Sequence, residues 1–135
     1  MEGKLHRVLK EVGVRELRVD GYEIYVEPPQ SPDERLAWTL YRPDILGIDS
    51  ESEETRFAIV ECETAPNAGR ILDKTSKISS LTLQKRLNEK HVFRFVLIIL
   101  PGLLNRALYP GMRGLWEIWI VNSEGDVCHK IPINK

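Results

Sequence analysis

The sequence predicts an α/β domain with a mixed central β-sheet of about five or six strands, flanked by helices. Three observations lead there. Apolar residues recur at helical spacing in two stretches far apart in the chain, one near the start and one in the middle. Between and after them lie short runs rich in Val, Ile and Phe, bounded by Gly, Pro and Asp. One of those runs, "VFRFVLIIL" at 92–100, is apolar on both faces apart from Arg94, as a strand covered on both sides must be. The chain of 135 residues suits a single domain over 1–135.

Taken in order, "GKLHRVLKEVG" places Leu5, Val8, Leu9 and Val12 on one helical face and predicts a helix ending near Gly13. Val14, Leu17 and Val19 leave that phase. Tyr22, Ile24 and Val26 then alternate with Glu23, Tyr25 and Glu27, and Asp20-Gly21 marks a turn between the two stretches. "PPQSPDE" is a loop, because its prolines exclude a continuous ladder or helix. "LAWTLYRPDILGID" reads as a strand that carries Asp44 at or beyond its end, "SESEET" as an acidic surface turn, and "RFAIVECE" as the next strand. From about Pro66 to Asn88 runs the longest helical candidate, with Ile71, Thr75 and Ile78 toward a sheet and Arg70, Lys74, Lys77 and Gln84 on the other side. "HVFRFVLIIL" is the buried strand, and "PGLLNRALYPGMRG" a loop holding one helical turn. "LWEIWIV" and "DVCHKIPI" close the sheet around the turn "NSEGD".

Bulk properties narrow the function classes. Hydrophobic residues make up 42% and charged residues 29%, the balance of a globular protein in water. No apolar segment is long enough for a bilayer, and "MEGKLHRVLKEVG" lacks the apolar core of a signal peptide, so a cytoplasmic protein with no membrane partner is expected. The two cysteines, Cys62 and Cys128, form no CxxC; a reducing compartment suits them, and a pairing between them stays open. Charge is unevenly spread: residues 1–63 hold 15 acidic and 8 basic side chains, and residues 64–135 hold 5 and 11. That asymmetry suits an acidic, cation-binding end beside a basic face. There is no GxGxxG, GxxxxGK or GxSxG, so no nucleotide cofactor is expected, and His6, His91 and His129 form no zinc motif.

The carboxylates carry the chemistry. Asp44 stands at a strand tip, and Glu61 and Glu63 sit at i and i+2 of the following strand, which puts all three on one side of a sheet. Each has a plain reading: Pro43-Asp44 starts a turn, and the glutamates face water from a half-exposed strand. The neighbouring "DILGI" and "FAIV" are apolar, however, and clustered interior carboxylates repel one another unless a cation neutralises them. All-oxygen donors select Mg²⁺ or Mn²⁺ over Zn²⁺.

"RPDILG", then an intervening turn, "AIVECE" and a helix resemble the PD-(D/E)xK nuclease superfamily, which includes archaeal Holliday-junction resolvases and many restriction endonucleases. The resemblance spans roughly residues 3–121, while the motif itself is four or five positions. It implies a restriction endonuclease-like fold and a Mg²⁺-dependent endonuclease that hydrolyses DNA phosphodiesters. The superfamily's Pro-Asp falls on Pro43 and Asp44, and its motif glutamate on Glu61. Its lysine position falls on Glu63, a departure. Some members carry glutamate there, and others move the basic residue to the following helix, where Lys74 and Lys77 stand. Many members have a metal-touching glutamate in the first helix; Glu11 matches it, and Glu2 less well. On this resemblance Asp44, Glu61, Glu63 and Glu11 are metal ligands, with Glu63 also a candidate base. Lys74 or Lys77 is the phosphate-facing cation, and Arg70, Lys74, Lys77 and Gln84 contact nucleic acid. A solvated basic helix face is the plain alternative for these cations.

Two rivals belong to other classes. A catalytically inactive nucleic-acid-binding or structural subunit would keep the fold and lack the lysine. A hydrolase using two carboxylates as acid and base would need a concave sugar site, and no aromatic-rich groove accompanies them. Trp116 and Trp119 face opposite ways in a strand; one belongs to the core, and the other, beside "LLNRALYPGM", predicts a two-fold homodimer.

Overall fold

The computed structural model describes residues 3–28, 43–51, 55–64, 91–103 and 117–132. Helix α1 spans Lys4–Val19 and therefore runs through Gly13 instead of ending there. The stripe Leu9, Val12, Gly13, Leu17 is buried along its whole length. Gly13 is small for a packing reason. A Cβ there would lie 2.6 Å from Ile45 Cδ1 and 3.1 Å from Ile98 Cδ1, so the missing side chain lets the helix press onto the sheet.

The Asp20-Gly21 turn joins a helix to a strand and not two extended stretches. The Tyr22 N–H donates to Leu17 O at 3.0 Å and the Gly21 N–H to Arg18 O at 3.1 Å. This is the Schellman arrangement, which needs a left-handed residue, supplied by Gly21 at φ +93°. Leu17 and Tyr22, the pair that such a cap brings together, are both buried.

Six strands follow: β1 (Glu23–Val26), β2 (Ile45–Asp49), β3 (Thr55–Glu63), β4 (His91–Ile99), β5 (Glu117–Val121) and β6 (Val127–Pro132). They lie side by side in chain order. β1–β2, β2–β3 and β5–β6 pair antiparallel, and β3–β4 and β4–β5 parallel, which makes the sheet mixed. Parallel neighbours need a crossover between them, and residues 64–90 and 100–116 provide the two connections. The helix expected over about Pro66 to Asn88 lies outside the described residues. A 3₁₀ turn, Pro101–Leu103, opens the second connection.

α1 packs on the face carrying Ile45, Val60, Cys62, Ile98 and Trp119. The alternate residues Leu46, Phe57, Ile59, Leu97 and Ile99 are fully buried too. β3 and β4 are interior strands covered on both faces, as their near-continuous apolar runs require. Trp119 is the core tryptophan, and Trp116 lies outside the described residues. Neither Cys62 nor Cys128 is joined in a disulfide.

An ionic cluster ties α1 to the far half of the sheet. Arg94 on β4 grips Glu117 on β5 with two nitrogens, Nη2 to Oε1 at 3.0 Å, and its Nη1 reaches Asp20 Oδ2 at 2.6 Å. Its guanidinium lies over the Trp119 ring, whose indole N–H donates to Glu117 Oε1 at 2.9 Å. Burial pushes the Glu117 carboxyl up, but the bonds from Arg94 and then Trp119 outweigh it, and the group titrates below its ordinary value. The one charge in the sequence run "VFRFVLIIL" is thus answered by partners on two other elements.

Candidate functional site

The site lies where β2 and β3 part. The register pairs Ile45 with Val60, so the next residues outward, Asp44 and Glu61, stand opposite each other. There the ladder passes from backbone to side chains. The Asp44 N–H donates to Glu61 Oε2 at 2.8 Å, and the Cys62 N–H donates to Asp44 Oδ2 at 2.8 Å. Each acidic residue accepts an amide at the fork, and Asp44 (9% exposed) and Glu61 (3%) are buried while doing so. Amides aimed at carboxylates offset part of the cost of taking those charges out of water.

Asp44 stands just before β2, and the preceding stretch 36–42 of the expected strand lies outside the described residues. Its carbonyl accepts the Glu27 N–H at 2.9 Å. Glu27 holds a left-handed backbone, φ +45°, a conformation that a residue with a side chain adopts only when its surroundings impose it. Its carboxylate receives Lys10 Nζ at 3.0 Å, and Lys10 is itself buried in α1.

His6, one turn before Lys10, reaches the same corner. Its Nε2 lies 3.1 Å from Cys62 O and 3.5 Å from Asp44 Oδ2. No motif singles out His6 or Lys10, yet both lie on the stripe that continues through Leu9, Gly13 and Leu17. A polar residue on an apolar stripe is the available signal. What the sequence does not carry is the 56-residue separation that the fold closes between His6 and Cys62.

Glu63 is also buried, at 1% exposed, two residues beyond Glu61 and so on the same side of β3. Its Oε2 accepts the Thr64 N–H at 2.9 Å. Among the described residues, no three His, Cys, Asp or Glu side chains converge closely enough to hold an ion. The structure thus joins Asp44 to Glu61 and adds His6 beside them, without a closed three-donor set. Glu11 is exposed on α1, where it lines a groove with Arg7 and Arg18. His6 is an α1 side chain that reaches Asp44. Arg70, Lys74, Lys77 and Gln84 lie outside the described residues.

The donor chemistry can be tested against a divalent cation. Asp44 and Glu61 offer oxygen only, and they adjoin. Mg²⁺ commonly keeps several waters and binds through one or two carboxylates together with substrate phosphate, so two adjacent carboxylates fit its demand. Oxygen-only donation suits zinc less well, since its sites draw mainly on nitrogen and sulfur donors.

No family model matches the chain, and no curated protein does. Two solved structures are similar to it. One is a CdiA-CT/CdiI toxin and immunity complex from Burkholderia pseudomallei, with 12% identity over 95% of this chain and 85% of that chain and a TM-score of 0.45. The other is an fdxN element excision controlling factor protein from Anabaena variabilis, with 10% identity over 93% of this chain and 98% of that chain and a TM-score of 0.47. Neither likeness bears on activity. No helix among the described residues is long and apolar enough to cross a membrane.

Proposed function

We propose that the protein is a Mg²⁺-dependent endonuclease-like protein of restriction endonuclease-like fold that hydrolyses DNA phosphodiesters. The observation that carries this reading is the buried, adjacent carboxylates of Asp44 and Glu61 at the point where β2 and β3 separate, Glu61 accepting the Asp44 N–H and Asp44 accepting the Cys62 N–H. Their placement agrees with the Pro-Asp and Glu of the PD-(D/E)xK pattern. Asp44 and Glu61 would hold the ion, and Glu63, in the pattern's lysine position, would serve as a further ligand or as a base. A bound Mg²⁺ or Mn²⁺ supplies polarisation of a phosphoryl oxygen and a more acidic water. The chain's part is to fix the two carboxylates through the Asp44 and Cys62 amides, so that little reorganises when substrate arrives. Lys74 or Lys77 would face the phosphate, with Arg70 and Gln84 along the same nucleic-acid contact, and two copies would act as a homodimer on the two strands of a duplex.

One observation favours a second reading. Both carboxylates already perform structural work as acceptors for strand-end amides, and the lysine position is glutamate. A nucleic-acid-binding or structural protein without activity would retain the same geometry. Nicking of a supercoiled plasmid and cleavage of a branched DNA, in Mg²⁺ or Mn²⁺, decide between them. Cleavage that Glu61→Gln abolishes supports the nuclease. DNA binding with no cleavage under either ion supports the inactive protein.

A further inference from the structure

Away from the carboxylates, α1 and the edge of the sheet enclose a groove of about 690 Å³. Val14, Val19 and Val26 give it an apolar stretch, and Arg7, Arg15 and Arg18 border it with positive charge. Val19 is 80% exposed and Val26 49%, and they are two of only three large hydrophobic residues exposed among the described ones. Exposed apolar side chains scattered singly are ordinary; here two share one groove with three arginines.

The rim charges are unevenly answered. Lys10 is met by Glu27 at 3.0 Å, and Arg15 by Glu16 at 3.4 Å and by the Gly125 carbonyl at 3.1 Å. Arg7 and Arg18 are exposed, and no carboxylate among the described residues lies within ion-pair distance of either. From Arg7 to Val19 the helix axis runs about 18 Å, which matches about five or six residues of extended chain.

We propose that this groove receives a segment of another protein in which apolar side chains are flanked by aspartate or glutamate. The apolar side chains cover the three valines, and the acidic ones meet Arg7 and Arg18. A nucleic-acid backbone fits worse. Phosphates gain nothing from the three valines, and Glu11 stands on the groove between Arg7 and Arg18, where a continuous anionic track would meet repulsion. A peptide can place a neutral or basic residue at that point. The surface is independent of the carboxylate pair and does not rest on the nuclease reading.

The test is a random 12-residue peptide display library panned on the full chain, followed by fluorescence anisotropy with a labelled synthetic copy of the most enriched peptide. Enriched sequences should combine net negative charge with Leu, Ile, Val or Phe. Binding of the copy should weaken about tenfold or more in the double variant Arg7→Glu, Arg18→Glu, and also in Val19→Gln, which leaves the charge unchanged. These positions are exposed, and far-UV circular dichroism with a thermal melt verifies that the variants fold. Enrichment without acidic bias, no enrichment, or a copy whose binding neither variant changes overturns the proposal. So does a 20-base-pair duplex whose binding the arginine variant weakens while peptide binding stands, since the rim would then be a nucleic-acid surface.

Discussion

Replacing Asp44 separates two duties that its carboxylate would hold at once: acceptor for a strand-end amide and ligand for an ion. In metal-free buffer only the first is measured. Asp44→Ala leaves the buried Cys62 N–H without the acceptor that now lies at 2.8 Å, and an unmet buried donor costs about 1–3 kcal/mol. Asp44→Asn keeps a carbonyl oxygen at nearly the same place and loses only the charge assistance, a cost of about 1 kcal/mol. Urea melts in EDTA should therefore rank wild type first, Asp44→Asn second and Asp44→Ala last. The second duty appears on adding Mg²⁺ or Mn²⁺. An ion at about ten times its Kd stabilises the folded state by about 1.4 kcal/mol, which at this chain length raises Tm by about 5 °C. Wild type should show that rise, and Asp44→Asn and Glu61→Gln should lose it. Isothermal titration with Mn²⁺ gives the same comparison directly. Should the ion raise Tm in none of the three proteins, or equally in all, Asp44 and Glu61 are strand-end caps and the metal-site reading fails.

Four further outcomes are expected, two from the structure and two from the sequence. Arg94→Met should destabilise by about 2 kcal/mol near pH 7, because it strands a Glu117 carboxylate that is mostly shielded from water; since Glu117 titrates below its ordinary 4.5 in the folded state, the stability it contributes is present above that pH and lost as pH falls through the depressed value, so the difference from wild type in urea melts should shrink by pH 3, and a pH-independent difference would refute the assignment. Gly13→Val should cost about 2 kcal/mol by overpacking against Ile45 and Ile98, despite the gain in helix propensity, and a raised Tm would show that the helix has room to shift. If the cation of the nuclease motif has moved to the segment after β3, Lys74→Ala or Lys77→Ala should slow cleavage about 10²-fold, near 2.7 kcal/mol, with little loss of DNA binding; unchanged rates would leave Glu63 as the base. Light scattering at micromolar protein should give a dimer, and a clean 15.5 kDa species would remove that expectation.

Strands were the legible part of this chain because aliphatic and β-branched runs carry their own burial. "RFAIVECE" and "HVFRFVLIIL" became β3 and β4 within a residue or so of their expected bounds. Glycine and turn chemistry were legible only in kind. Gly13 reads as a helix stop by composition, but the reason for its size is a tertiary one, the Ile45 and Ile98 methyl groups that a Cβ would strike. Asp20-Gly21 reads as a turn, and nothing local distinguishes a hairpin from a Schellman cap, because both need a left-handed residue at that step. The outcome depends on whether Val14, Leu17 and Val19 belong to the preceding helix, and Leu17 settles that through burial with Leu9 and Val12.

Half of the site could be read for the same reason. Strand spacing puts Glu61 and Glu63 on one side of β3, and the observed register of Ile45 with Val60 then sets Glu61 opposite Asp44. His6, Lys10 and Glu27 belong to the other half, which depends on how α1 is laid across the sheet. The corner they build has a physical logic. Pro43 has no N–H to offer, so regular pairing must stop there, and the amides of Asp44 and Cys62 at the fork need other acceptors. Neutral acceptors would satisfy those amides equally well without bringing two charges into a buried place. Carboxylates at both positions, with Glu63 buried two residues on, bring three acidic side chains to this end of β2 and β3. A divalent cation would give Asp44 and Glu61 a duty beyond capping, which is why the comparison of Asp44→Asn with and without Mg²⁺ addresses the function of the fork as well as its stability.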